Sequence, residues 1–217
     1  MDNAIENYWK IRMESLKAAL ESNNFEAFIT ESAAAAKQMV LEDIIPQLNA
    51  RSISWGGSMT LMDTGLYDAL KNASDMEIID TADRSVPPEE FIERRRQSLL
   101  VDLFFMGTNA ITETGQLVNL DMLGNRVAAL TFGPKNVIVL VGRNKIVGEL
   151  EDAFERIKAY AAPVNAMRLD MKTPCAKTGI CEECKAPARI CNTWTLTEKS
   201  FPKGRVKIVL INEDLGL

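Results

Sequence analysis

Three short runs, 101–106 (VDLFFM), 137–141 (VIVLV) and 206–211 (VKIVLI), are apolar at nearly every position instead of at alternate ones. Successive side chains of a strand point to opposite faces, so runs like these must be covered on both sides. Helical patterns lie between them. Ile5, Tyr8, Trp9, Met13, Leu16 and Leu20 recur at helical spacing within 3–22. Further helices are expected over 31–45, with Pro46 just past the end, and over 59–70, from Pro87-Pro88 to about 100, and over 149–161. Shorter strands are expected at 25–30, 51–55, 76–79, 116–120 and 127–130, with Gly107, Gly115, Gly124 and Gly133 at the turns. Strands buried on both faces and alternating with helices predict an α/β fold with a largely parallel sheet and helices on each side. The short strands between 101 and 141 predict a local antiparallel or mixed portion. Residues 1–46 read as an N-terminal helical segment packing on a core that runs from 47 to 217.

Composition narrows the chemistry. The net charge is −5, with 25 basic against 30 acidic residues. Nucleic acid is therefore not the expected partner, because binding it takes a concentrated basic face. Arg94-Arg95-Arg96 follows Glu89, Glu90 and Glu93 and reads as a solvated helix face. No apolar run approaches the ~20 residues of a membrane span, and the expected location is the cytoplasm. Histidine is absent. Ser–His–Asp and Cys–His nucleophile schemes go with it, as do imidazole bases and all His-containing metal sites.

The four cysteines of the chain, Cys175, Cys181, Cys184 and Cys191, fall in one stretch with spacing C-x5-C-x2-C-x6-C. Thiols stay reduced in the cytoplasm, where clustered cysteines more often bind metal than form structural disulfides. Four thiolates suit either an iron–sulfur cluster or a tetrahedral zinc. The spacing matches neither a two-pair zinc ribbon nor a bacterial ferredoxin run, so the residues leave both open. Pro174, Gly179 and Pro187 predict an ordered loop for 174–192, and Lys172, Lys177, Lys185 and Arg189 would offset the thiolate charge.

Two glycine-bounded loops follow apolar strands. Gly56-Gly57-Ser58, with Thr60, precedes a helix and offers backbone approach and hydroxyls to an anion. Residues 107–116 carry Asn109, Glu113, Thr114 and Gly115 at the end of a buried strand, where α/β proteins seat ligands. Glu113 is the carboxylate of that segment, a candidate base or nucleophile. The turns at Gly124-Asn125-Arg126 and Gly133-Pro134-Lys135 place Arg126 and Lys135 to pair with a phosphate or carboxylate. Gly142-Arg143-Asn144-Lys145 is similar, and such loops, recurring after successive strands, are expected to converge at one edge of the sheet.

Three blocks together resemble the LUD (lactate utilisation, DUF162) family: SWGGSMTLMDTGL at 54–66, the long GTNAITETGQLVNLDMLGNRVAALTFGPKNVIVLVGRNKIV at 107–147, and EDAFERIKAYAAPVNAMRL at 151–169. The cysteine segment resembles a tail of the form PCxxTGxCxxCxxxxRICN, found in a stand-alone subgroup. The resemblance implies a Rossmann-like, three-layer fold of the NagB/RpiA/CoA-transferase kind. It also implies a bacterial setting in which such a protein works with iron–sulfur oxidoreductase subunits to oxidise L-lactate to pyruvate, so a small anionic or hydroxy acid is the expected substrate. A homo-oligomer is compatible with it. CoA transferases of this fold use the glutamate of a Glu-x-Gly setting as nucleophile, and Glu113-Thr114-Gly115 looks similar.

Overall fold

The computed structural model describes residues 2–72 and 75–217. The long helix α1 (Asp2–Ser22) leads into strand β1 (Glu26–Thr30). Next come α2 (Ala33–Met39), a π-helical turn (Val40–Ile44) and α3 (Ile45–Leu48). Pro46 does not end the helix as expected from the sequence. It sits in the first turn of α3, and the wider π turn before it absorbs the proline's missing N–H. Strand β2 (Ser52–Trp55) is followed by α4 (Met59–Asp63), α5 (Leu66–Lys71) and β3 (Glu77–Ile79). The single helix expected over 59–70 is broken at Gly65, whose φ of 67° no helix interior uses. Helix α6 (Pro88–Gln97) precedes β4 (Leu103–Gly107), β5 (Ala110–Thr112) and β6 (Leu117–Asp121).

Helix α7 (Asn125–Thr131) corrects a sequence expectation, because 127–130 is not a strand. Its four apolar residues suit either state by pattern. The helix wins because Ala129 and Leu130 join the core over the sheet while Gly124 turns the chain at φ 83°. Strand β7 (Asn136–Gly142), β8 (Ile146–Val147) and α8 (Leu150–Arg156) follow. A second π turn (Ile157–Ala161) then joins α8 to α9 (Ala162–Arg168). The cysteine segment is not loop throughout: Pro174–Thr178 forms a helical turn, α10. Strands β9 (Thr193–Thr197) and β10 (Val206–Ile211) complete the chain.

The main sheet has the order β1-β10-β7-β4-β2-β3, and every pairing in it is parallel. Its two faces follow the period-two rule. Phe104, Met106, Val137, Val139, Val141, Ile208 and Leu210 pack under α1 and α7. Leu103, Phe105, Ile138, Leu140, Val209 and Ile211 pack under α2, α4 and α5. In a smaller mixed sheet, β8-β5-β6-β9, the β5–β6 pair is the antiparallel portion anticipated between 101 and 141, and β8 and β9 join it from later in the chain. Its inner face joins the first core through Ile111 and Leu117, and its outer face is covered by Ala153, Ile157 and Ala162. Residues 26–30 form an edge strand of the main sheet, paired along its length with β10. No helix among the described residues is long and apolar enough to cross a membrane.

Candidate functional site

Because the main sheet is parallel, the loops leaving β2, β4, β7 and β10 all emerge at one edge. There Gly56 packs against the aliphatic part of Arg126, and a Cβ would lie 2.9 Å from Arg126 Cγ. Gly107 does the same for Ser58, whose Oγ would be 2.6 Å from an added Cβ. Both glycines are thus required by close packing. Gly57 has open space around it and is exposed. Ser58 caps α4 by accepting from Leu61 N at 3.2 Å.

Arg126 enters this edge from α7 and is buried. Its Nη1 donates to Gly107 O (2.9 Å) and Asn119 Oδ1 (2.7 Å), and its Nη2 to Asn109 Oδ1 (2.9 Å) and Leu120 O (3.1 Å). Its Nε faces Asp121 Oδ2 at 3.6 Å. Burial works against the guanidinium's charge, and Asp121 partly restores it. With its donors turned to the protein, Arg126 braces the loops rather than reaching for a ligand. Asn109 uses its Oδ1 on Arg126 and on Leu120 N, and its own carbonyl accepts from Arg156 Nη1 at 2.7 Å.

The other cation at this edge is one the sequence reading placed only in a turn. Lys145 is 4% exposed. Its Nζ donates to Thr60 Oγ1 at 2.6 Å. Burial, then the positive charges of Arg156 and Arg126, push its amine down to about 7, with Asp63 pulling the other way. A lone lysine in a turn carries no sequence signal of burial. The nearest thing to one is the apolar run on either side of it.

The remaining candidates separate from this edge. Glu113 turns to α1, where Arg12 approaches it at 2.6 Å. Gly115, at φ 83°, lies against Ala19 and Leu20 of the same helix, and Thr114 O accepts from Asn23 Nδ2. The segment 113–115 is thereby docked on α1. Gly133 packs against Leu99 O, and Lys135 pairs with Asp102 at 2.6 Å. Asp102 and Lys135 precede β4 and β7, so they stand at the opposite edge of the parallel sheet. The expected convergence of all the glycine loops is corrected accordingly: 56–60, 107–109, Arg126 and 142–145 meet, while 133–135 lies across the sheet. Asn125 opens α7 beside Arg126.

The four cysteines line one cavity of about 20 Å³, together with Lys158, Thr173, Glu182, Glu183, Arg189 and Ile190. All four are free thiols of intermediate burial. Arg189 gathers the segment: its Nη1 donates to Cys184 O and its Nε to Cys191 O, both at 2.7 Å. Thr173 Oγ1 lies 3.3 Å from Cys175 Sγ. Lys158 pairs with Glu183 at 3.0 Å. Burial pushes the Cys191 thiol up, Lys158 and Arg189 lower it, and the neighbouring thiols Cys181 and Cys175 raise it. Among the described residues, no three His, Cys, Asp or Glu side chains already stand as ligands of one metal ion.

The two places are linked through the fold. Helix α8 carries Arg156 to the sheet edge, and Lys158, two residues on, reaches the cysteine cavity. Asn192, beside Cys191, donates its N–H to Asp121 O, and Asp121 faces Arg126.

These features define an α/β protein with a cationic site at the C-terminal edge of a parallel sheet and a four-thiol cavity beside it. The LUD domain profile matches residues 13–211, and the chain belongs to that family. A DUF162 family protein from Deinococcus radiodurans has the same fold, with a TM-score of 0.53 at 13% identity, over 94% of this chain and 98% of that one. Ribose 5-phosphate isomerase A from Neisseria gonorrhoeae aligns over 54% of this chain and 53% of its own, with a TM-score of 0.34 at 14% identity. A D-ribose-5-phosphate isomerase in complex with phospho-erythronic acid aligns over 53% of this chain and 55% of its own, with a TM-score of 0.32 at 20% identity. No curated protein matches the chain.

Proposed function

We propose that the protein is a component of an iron–sulfur-dependent oxidation of L-lactate or a related 2-hydroxy acid, with Cys175, Cys181, Cys184 and Cys191 holding a [4Fe–4S] cluster. The observation that carries this reading is the shared cavity of all four thiols. Their donor chemistry suits a thiolate-bound cluster, and Arg189 would offset part of its negative charge, Lys158 being paired with Glu183. A cluster is larger than the cavity, so seating one moves the irregular loop between α10 and Cys191 outward. When bound, the cluster supplies one-electron transfer. The chain's own residues would hold the acid at the sheet edge, and α8 would keep that edge next to the thiols. Partner iron–sulfur subunits would take the electrons onward. Anaerobically purified protein is expected to be brown, with roughly four iron and four sulfide per chain. Colourless protein without iron sinks the proposal.

A second reading is favoured by the buried Lys145 with the half-buried Arg156 near it: a small-anion-binding or group-transfer domain of the CoA-transferase kind, with structural zinc on the cysteines. A thermal-shift panel of hydroxy acids, CoA esters and sugar phosphates tests it. A true ligand at 100 times its Kd adds about 2.7 kcal/mol to stability. No shift with any member of the panel removes this reading.

A further inference from the structure

Lys145 is buried in a way that a structural lysine seldom is. Its ammonium has three donors, and one goes to Thr60 Oγ1. It forms no ion pair among the described residues. Asp63, the acid that acts on it, uses Oδ2 on Gly216 N at 2.8 Å. The charged groups around it are otherwise Arg156 of α8 and Arg126 of α7, both of its own sign. Arg126 cannot give way, because its donors are spent on backbone and amide oxygens. The amine stands just past β7, at the sheet edge where α/β folds seat small molecules.

What covers the amine is the segment after β10. Gly216 lies against it, with an added Cβ 3.1 Å from Nζ and 2.6 Å from Thr60 Oγ1. The buried side chain of Leu215 and hydrogen bonds to distant parts of the chain, Gly216 N to Asp63 among them, hold that segment. Arg143 Nε donates to Asp214 (2.9 Å), Leu215 N donates to Asn144 Oδ1 (3.1 Å), and Thr60 Oγ1 donates to Leu215 O (3.4 Å). Asp214 is 65% exposed, so its latch is a weak one.

We infer that Lys145 is a carbonyl-trapping amine, covered by residues 214–216 and taking a small 2-oxo acid. This deepens the small-acid reading of the sheet edge and rests on it; it does not depend on the cysteines. A lysine removed from water and set beside other cations is held in its neutral, nucleophilic form. The nitrogen adds to the carbonyl carbon, forming C–N, and the carbonyl electron pair moves to oxygen. Thr60 Oγ, bonded to the amine, relays the proton that the nitrogen loses to that oxygen. Departure of water leaves the imine, so amine plus oxo acid becomes imine plus water with no change of oxidation state. Arg156, spending Nε on Asn144 O and Nη1 on Asn109 O, draws the acid's carboxylate to this edge.

The test is reductive trapping in the full-length protein with glyoxylate and cyanoborohydride, mapped by peptide mass spectrometry. With its amine pushed down to about 7, Lys145 has a far larger neutral fraction at pH 7 than an ordinary lysine, for which that fraction is on the order of 10⁻³ or less. Lys145 is expected to carry the leading adduct at pH 7, with its lead over exposed lysines shrinking toward pH 9. Asp214→Ala, which removes the exposed latch on the covering segment and leaves its other bonds, is expected to speed that labelling. Lys145→Arg keeps a buried cation and is expected to abolish it. Adducts confined to exposed lysines in both the wild-type and Asp214→Ala proteins overturn the inference. Labelling of Lys145 by neutral glycolaldehyde but not by glyoxylate also overturns it, and in that case the small-acid reading fails while the cluster proposal, which predicts iron and sulfide, is untouched.

Discussion

Replacing Arg126 with methionine is expected to cost about 3–5 kcal/mol, the range for removing one partner of a buried charged network. The physical reason is what the side chain leaves behind. Gly107 O, Leu120 O, Asn119 Oδ1 and Asn109 Oδ1 each lose a donor. Asn119 is wholly buried, and no water reaches it to compensate. Asp121 loses its counter-charge. Methionine fills much of the volume, so the loss reports the polar groups rather than a cavity. Arg126→Lys is expected to recover part of the loss at best, because an ammonium is a point donor and these acceptors surround a planar fork. Denaturant unfolding measures it: the midpoint falls while the slope is unchanged. A loss below about 1 kcal/mol, the typical net worth of one ordinary hydrogen bond, would show that the brace is not what joins the 56–58 and 107–109 loops.

Cys184→Ser is expected to bring bound iron to less than half the wild-type value and to raise amide exchange across 174–192. Thiolates sharing one cluster do not bind independently, and the metal's binding energy is also folding energy for the segment that wraps it. Cys184 is the informative choice because its backbone, not its sulfur, is held by Arg189. Serine keeps that carbonyl contact. Cys191 is a poorer choice, since it packs against the core cluster under the small sheet, and its loss would disturb that core as well. Unchanged iron per chain in Cys184→Ser would mean that the four thiols are not one site.

The parallel sheet was legible in 101–106, 137–141 and 206–211, because burial on both faces leaves its mark in composition. Those runs became the strands at and beside the sheet's centre. The crowding of the cysteines was legible too, since sequence neighbours within a short loop cannot stray far. Residues 127–130 misled because four apolar residues carry no period, and the helix was chosen by what it covers. Lys135 misled for another reason. Its turn resembles the ligand-side turns in composition, but a parallel sheet sends the loops before and after each strand to opposite edges.

Local pattern alone therefore settled most of the strands buried on both sides, that the sheet is mainly parallel, that histidine is absent, and that the cysteines fall in one short segment. Packing between distant segments settled the rest. Glu113 is claimed by Arg12, 101 residues away, and Lys145 is enclosed by Thr60 and by residues beyond β10. Desolvation and charge proximity depend on three-dimensional neighbours, and those neighbours come from parts of the chain that no short window contains.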